Sequence, residues 1–137
     1  MDHDDGTVTD EVTMLMWLRC SAGQAWTEGR CEGTATLHDW HSAQAVVGDV
    51  NEGGKFFFND WRIPSLRELA SIAERECQDP RVNLTVFPDT PAGSFWTTSS
   101  RSGGDGERFY ALSFGAEGVS LDPKRQKNFV RLVRFAP

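Results

Sequence analysis

Basic side chains gather near the end of the chain, where they could bind an anion. Residues 124–137 contain five Lys or Arg residues and no acid. Lys124, Arg125 and Lys127 lie within one short polar stretch, residues 122–128, and could contact a sulfate or a carboxylate. The alternative is a solvated hairpin whose charges face water. We call residues 122–128 the basic loop and treat it as a candidate anion-binding segment.

A second polar segment, residues 98–107, contains three glycines, and we call it the polar loop. Each of the two loops follows a strand of one predicted meander, so we expect them to converge. Tyr110 or Trp96 would then supply an aromatic face for a sugar ring, although a Trp in a strand is more often part of the core. The predicted ligand-binding residues are Thr98, Ser100, Arg101, Tyr110, Lys124, Arg125, Lys127 and Asn128.

The histidines offer little support for catalysis or metal binding. His38 and His41 are three residues apart and could share a helix face as metal ligands, but no third ligand is evident. Two surface histidines are the simpler interpretation. The chain has no convincing Ser/His/Asp arrangement and no phosphate-binding glycine motif. We therefore predict no metal site, no cofactor, no catalytic residue and no enzymatic activity.

Three cysteines cannot all pair within one chain. Cys20 and Cys31 flank a turn-like segment, and a disulfide between them would close a hairpin. Cys77 falls on the apolar face of a predicted helix and is expected to be a buried thiol. A bond from Cys77 to Cys20 or Cys31 stays open, but we predict the Cys20–Cys31 disulfide.

Length and charge limit the classes of fold and partner. The 137 residues have a net charge of -6, and residues 1–60 carry three basic residues against eleven acids. An acidic protein is a poor general binder of nucleic acid, and no apolar run is long enough to predict membrane insertion. Three of the first five residues are acidic, whereas a secretory signal begins with basic residues. We predict one domain at residues 7–135, preceded by a disordered or artificially added segment, residues 1–6.

The stretch Asn59–Leu69 joins a short apolar run to a helical pattern. Ser65 and Glu68 form a capping box, and Pro64 keeps the preceding chain extended. The apolar spacing that follows predicts a helix over Leu66–Cys77. We assign structural roles to Trp61, Pro64, Ser65 and Glu68.

Other patterns predict strands on both sides of two helices. Strands are expected at Gly6–Asp10 and Met14–Leu18, and a first helix is expected to start at a cap-like Thr36–Asp39 and to end at Gly48. Period-two patterns predict a C-terminal meander at residues 94–98, 109–114, 119–121 and 129–135. The fold class is therefore α+β.

Five short motifs stand in order along nearly the whole chain. They are Thr9-Asp10 with Leu15-Met16-Trp17, the helix opening at Trp40, Asp60-Trp61-Arg62-Ile63-Pro64-Ser65 with Glu68-Leu69, Phe95-Trp96-Thr97-Thr98-Ser99, and Val130-Arg131-Leu132-Val133-Arg134. Together they resemble the Lcl C-terminal domain family, named for a Legionella collagen-like adhesin. One departure is Met14, where that family usually has glycine.

The resemblance implies a C-type lectin-like fold, with two helices flanking a small antiparallel sheet and loops offered to a ligand at one end. It also implies a non-enzymatic, adhesin-like module of a bacterial secreted or surface protein, although a cytoplasmic location is not excluded. The Legionella adhesin's domain binds sulfated polysaccharide and trimerises. The implied partner is thus a glycan, which could be anionic, or a protein receptor, and a trimer is one expected state.

Other functions remain open within that resemblance. Similar folds serve as retroelement-diversified receptor binders and as structural or oligomerising tip domains. Formylglycine-generating enzymes share the architecture, but they rely on late cysteines and this chain has none after Cys77. The sugar-binding calcium motifs of C-type lectins, Glu-Pro-Asn or Gln-Pro-Asp, are also absent from the sequence, which argues against a calcium-dependent sugar site.

Overall fold

A computed structural model describes residues 3, 5–53, 58–73, 82–101, 106–115 and 117–136. Within these ranges the chain forms eight strands and two helices in the order predicted for an α+β domain. The elements are β1 (Thr7–Asp10), β2 (Leu15–Leu18), β3 (Ala25–Thr27), β4 (Arg30–Glu32), α1 (Trp40–Glu52), α2 (Leu66–Ala70), β5 (Ser94–Trp96), β6 (Arg108–Ser113), β7 (Val119–Pro123) and β8 (Val133–Phe135).

The strands form two three-stranded antiparallel sheets and one hairpin. One sheet has the order β1-β2-β8, the other has the order β5-β6-β7, and β3 pairs with β4. The predicted meander is therefore confirmed for its first three strands, whereas its fourth strand was wrong, because β8 pairs with β2 in the other sheet. The last strand is shorter than predicted, because residues 128–132 make separate contacts on two sides. The Phe129 carbonyl accepts from the Trp96 amide, whereas the Leu132 carbonyl accepts from the Leu18 amide. This segment therefore joins the two sheets.

Two apolar clusters cover opposite faces of these sheets. Neighbouring residues of a strand point to opposite faces, and Phe95 and Trp96 accordingly enter different clusters. Phe95 packs in the cluster that contains Leu69 of α2, and Trp96 packs in the cluster that contains Ala43 of α1. The two helices thus flank the sheets, as expected.

The first helix differs from its predicted bounds at both ends. Asp39 is the N-cap, since its side chain accepts from the Ser42 amide at 2.8 Å. The Thr36 hydroxyl instead donates to the Ala22 carbonyl. The helix also continues past Gly48 to Glu52, because Asn51 in its last turn exchanges two 2.8 Å hydrogen bonds with the Trp61 backbone. Both predicted limits, Thr36 and Gly48, were wrong because these tertiary contacts outweigh the local signals.

The second helix has the predicted start but a different end. The Ser65 side chain accepts from the Glu68 amide at 3.1 Å, and the Glu68 carboxylate accepts from the Ser65 amide at 2.8 Å, so the capping box is confirmed. The helix ends at Ala70, where the Ser71 hydroxyl donates to the Glu68 carbonyl at 2.5 Å. Its predicted extension to Cys77 was wrong at residues 71–73, and Cys77 lies outside the described residues.

Two further details of the N-terminal half concern the disulfide, which was predicted, and Met14, whose predicted strand position was wrong. Cys20 and Cys31 form the predicted disulfide, with 5.4 Å between their Cα atoms. Met14 lies in the turn between β1 and β2, outside its predicted strand, with φ of 58°. That conformation favours glycine, which explains why glycine would suit this position.

Candidate functional site

The sheet topology brings the polar loop and the basic loop to one end of the meander. The polar loop connects β5 to β6, and the basic loop begins with the last two residues of β7, Asp122 and Pro123, which were predicted to lie outside the strand. Because β6 is antiparallel to both neighbours, its first residue lies beside the end of β7, and Arg108 pairs with Pro123. The Lys124 amide then donates to the Glu107 carbonyl at 3.1 Å. The two loops therefore meet where the polar loop ends.

Backbone hydrogen bonds from the start of α1 hold the basic loop in place. The Trp40 amide donates to the Lys124 carbonyl at 2.9 Å, and His38 and Asn128 exchange amide-to-carbonyl bonds of 2.8 and 2.9 Å. The Asn128 side chain is buried and donates to Asp122 at 2.9 Å. Asn128 therefore supports the loop from inside and does not present its side chain to a ligand.

The cations among the predicted ligand-binding residues are at least partly accessible to solvent. Arg101, Arg125 and Lys127 are exposed, and Lys124 is partly buried. The Lys124 Nζ atom lies 5.9 Å from the centroid of the Phe109 ring, within cation–π range. Among the described residues of the two loops, the acids are exposed Glu107 and partly buried Asp122. The described residues of the two loops thus include four cations, three of them in the basic loop.

An aromatic stack lies beside the basic loop, and it was not predicted. The rings of Trp40 and Phe109 are parallel, with centroids 3.8 Å apart and an interplanar angle of 8°. Both are partly buried, whereas Trp96 is fully buried against Trp40 and donates its indole N–H to the His38 carbonyl at 2.7 Å. Trp96 is therefore a core residue, the alternative that the sequence favoured. The alternation of β6 could have identified Phe109, because it places Phe109 and Tyr110 on opposite faces.

Tyr110 lies on the other face of the meander from Phe109. It pairs with Leu121, while Phe109 pairs with Asp122. Residues directly opposite on antiparallel strands share a face, so the partly buried Tyr110 ring is on the same face as Leu121. The structure therefore separates Tyr110 from the stack beside Lys124.

The start of the polar loop is fastened to the start of α2. The Thr98 amide donates to the Pro64 carbonyl at 2.9 Å, and the Ser99 hydroxyl accepts from the Leu66 amide at 2.8 Å. Thr98, Ser100 and Arg101 are exposed beyond this attachment. The polar loop is thus anchored at both of its described ends, by α2 and by the basic loop.

An ion pair strengthens the helix start to which the polar loop is attached. Arg62 donates two 2.7 Å hydrogen bonds to the Glu68 carboxylate. These bonds, together with the Ser65 amide, lower the pKa of Glu68 despite its partial burial. Trp61 and Pro64 are buried next to this ion pair in the chain. Pro64, Ser65 and Glu68 therefore lie in the segment to which the polar loop is attached, and Trp61 is buried just before it.

His38 has no free ring nitrogen for a metal ion. Its Nδ1 lies 2.6 Å from the Ser42 hydroxyl, and its Nε2 lies 2.7 Å from the Thr36 hydroxyl. Burial lowers the pKa of His38, which favours the neutral ring. Across the described ranges, no three His, Cys, Asp or Glu side chains are grouped in a way that could hold a metal.

The sequence model of the Lcl C-terminal domain family matches residues 6–134, which is nearly the whole chain. The chain belongs to the Lcl C-terminal domain family. The family suggested by the five sequence motifs is therefore confirmed. No match was found among curated proteins. In the described part of this Lcl C-terminal domain, neither helix has the length and apolar character needed to span a membrane.

Proposed function

We propose that this Lcl C-terminal domain is a non-enzymatic, adhesin-like module that binds an anionic glycan at the end formed by the polar and basic loops. The observation that carries the proposal is the meeting of the two loops through the Lys124 amide and the Glu107 carbonyl. Membership of the family supports an adhesin-like role. A protein receptor that presents similar acidic groups is the alternative partner.

Charge at this end of the domain favours an anion. Arg101, Lys124, Arg125 and Lys127 are gathered in the two loops, although the chain as a whole has a net charge of -6. The acids among the described loop residues are Asp122, whose carboxylate accepts from Asn128, and the exposed Glu107. Sulfate or carboxylate groups would accept charge-assisted hydrogen bonds from these cations.

The aromatic stack would contribute contact area for a sugar ring. Trp40 and Phe109 are partly exposed beside Lys124. Such rings combine a large apolar surface with low conformational freedom. The stack therefore takes the role that the sequence assigned to Tyr110 or Trp96.

The wider parts of the proposal concern fold and location. We propose a C-type lectin-like architecture, supported by the two flanking helices and the antiparallel meander. The Cys20–Cys31 disulfide is typical of oxidising compartments and supports a secreted or surface-displayed domain.

Retention on immobilised heparin tests the glycan proposal. Arg125→Gln should elute at lower salt than the unchanged domain, because one charge-assisted hydrogen bond is lost. A loss of about 1.5 kcal/mol of binding free energy corresponds to about a tenfold weaker affinity for heparin. Arg30→Gln removes the same charge from the β3–β4 hairpin, where Arg30 pairs with Asp89, and should elute as the unchanged domain does. Equal elution of both variants, or no salt-sensitive retention at all, would refute the proposal.

An oligomerising role has one observation in its favour. Val12, Met14 and Phe135 are 92%, 50% and 66% exposed, and the turn holding the first two is next to β8, since Leu15 pairs with Phe135. A trimer that covers these side chains would be disrupted by Phe135→Glu. Light scattering would show a threefold loss of mass in that variant, and a monomer before mutation would exclude this role.

A further inference from the structure

The structure also contains a concave surface, which borders the basic loop at His38. It is a cleft of about 480 Å³ between α1 and the chain that follows β2, and none of the described loop residues lines it. Its floor is apolar and consists of Leu18, Val46, Val50, Val130 and Leu132. Small-molecule sites typically measure roughly 300–1,000 Å³. The cleft is therefore large enough for a small organic ligand.

The aromatic wall of the cleft is Trp26, which is partly buried. Arg19 lies over this ring, 4.3 Å from its centroid, but its guanidinium donates to the carbonyls of Thr85 and Val86. Arg19 does not line the cleft. The wall is thus held in position by a cation that is committed to other acceptors.

The rim of the cleft carries negative charge. Asp5 and Asp49 line it, and no Lys or Arg is among the described lining residues. One oxygen of Asp5 accepts from the amide and the hydroxyl of Thr7, so Asp49 is the principal counter-charge. His38 also lines it, but both ring nitrogens are hydrogen-bonded to hydroxyls, and burial favours the neutral ring. Gln24 is occupied as well, because its amide bonds to the Ser21 amide and the Asp89 carbonyl.

We propose that this cleft binds a small organic ammonium ion, with an alkyl or aryl body on the apolar floor and the charge against Asp49 and Asp5. The floor provides apolar burial, and the two carboxylates attract a cation and repel an anion. The net negative charge of residues 1–60, which hold eleven acids and three basic residues, also attracts a cation. None of the cations proposed to bind the glycan lines this cleft.

A charge-matched pair of small molecules tests the proposal. The ¹⁵N-labelled domain is titrated with 4-phenylbutylamine and, separately, with 4-phenylbutyrate at low salt. The amine should give saturable shifts at the Trp26 indole and at the amides of Val46, Asp49 and Val50, whereas the carboxylate should give none. Equal shifts from both molecules, or no saturable shift from the amine, would overturn the proposal.

Variants separate binding in the cleft from general attraction to an acidic protein. Asp49→Asn should weaken amine binding about fivefold, the effect of one nearby unit charge in a water-like environment. Glu52→Gln removes the same charge from the same helix at a residue that does not line the cleft, and should change binding by less than twofold. Equal weakening in the two variants would show non-specific attraction and refute the site. Lys124→Ala, which belongs to the glycan site, should leave amine binding unchanged.

Discussion

At the scale of single residues, Met14 carries an avoidable conformational cost. Its φ of 58° lies in the left-handed region, where a side chain costs roughly 1–2 kcal/mol, and its side chain is half exposed. Met14→Gly should therefore raise the free energy of unfolding by about 1 kcal/mol, measured by urea denaturation. Val12→Gly is the matched control in the same turn, and it should give no gain because Val12 does not have positive φ. Destabilisation by both substitutions would contradict this account of the turn.

Two arginines show why the candidate site could be predicted only in part. Arg131 and Arg134 belong to the basic C-terminal cluster in sequence, yet both are buried. Arg131 donates to the carbonyls of Leu18 and Arg19, and burial lowers its pKa to about 9. Arg134 pairs with Asp60, 2.6 Å away. Charge counting cannot separate such structural cations from exposed ones such as Lys127, because their partners are distant in the chain.

At the scale of elements, α1 depends on contacts that lie outside its own sequence. Gly48 was expected to end the helix, but the structure places it inside, with nothing within 4 Å of an added Cβ atom. Gly48→Ala should therefore stabilise the domain by about 0.5–1 kcal/mol, the usual difference inside a helix. Thermal denaturation would measure the gain, with Gly29→Ala as a control that should lose stability at φ of 85°. A loss of stability in the Gly48→Ala variant would indicate that the helix ends at Gly48.

The start of α2 should confer a defined pH dependence on stability. Glu68 has a lowered pKa in the folded domain, chiefly through its hydrogen bonds to Arg62. The pKa of Glu68 in the unfolded chain is near 4.5, so the stabilisation is fully present above that pH. It is lost as the pH falls through the lower pKa of the folded domain. The stability difference between the unchanged domain and Glu68→Gln should therefore shrink on acidification from pH 6 to pH 3. Urea denaturation at several pH values would detect it, and a constant difference would contradict the role of the ion pair.

At the scale of the whole molecule, local signals predicted most elements, whereas their extents depended on long-range contacts. Ser65 and Glu68 act within one helical turn, so the capping box could be recognised in the sequence. The pairing of Asn51 with Trp61 and the bridge between Ala73 and Val82 join segments that are separate in the chain. The ends of α1 and α2 therefore could not be recognised in the sequence. The stack of Trp40 on Phe109 was missed for the same reason.

The central claim is that the end of the meander where the two loops meet is the binding surface of this family member. Chemical-shift mapping with a heparin-derived hexasaccharide at low salt tests it most directly. The account predicts saturable, salt-sensitive shifts at residues 98–101, 106–107 and 124–127, with the β1–β2–β8 sheet unchanged. Saturable shifts confined to other surfaces, or none at any hexasaccharide concentration, would contradict it.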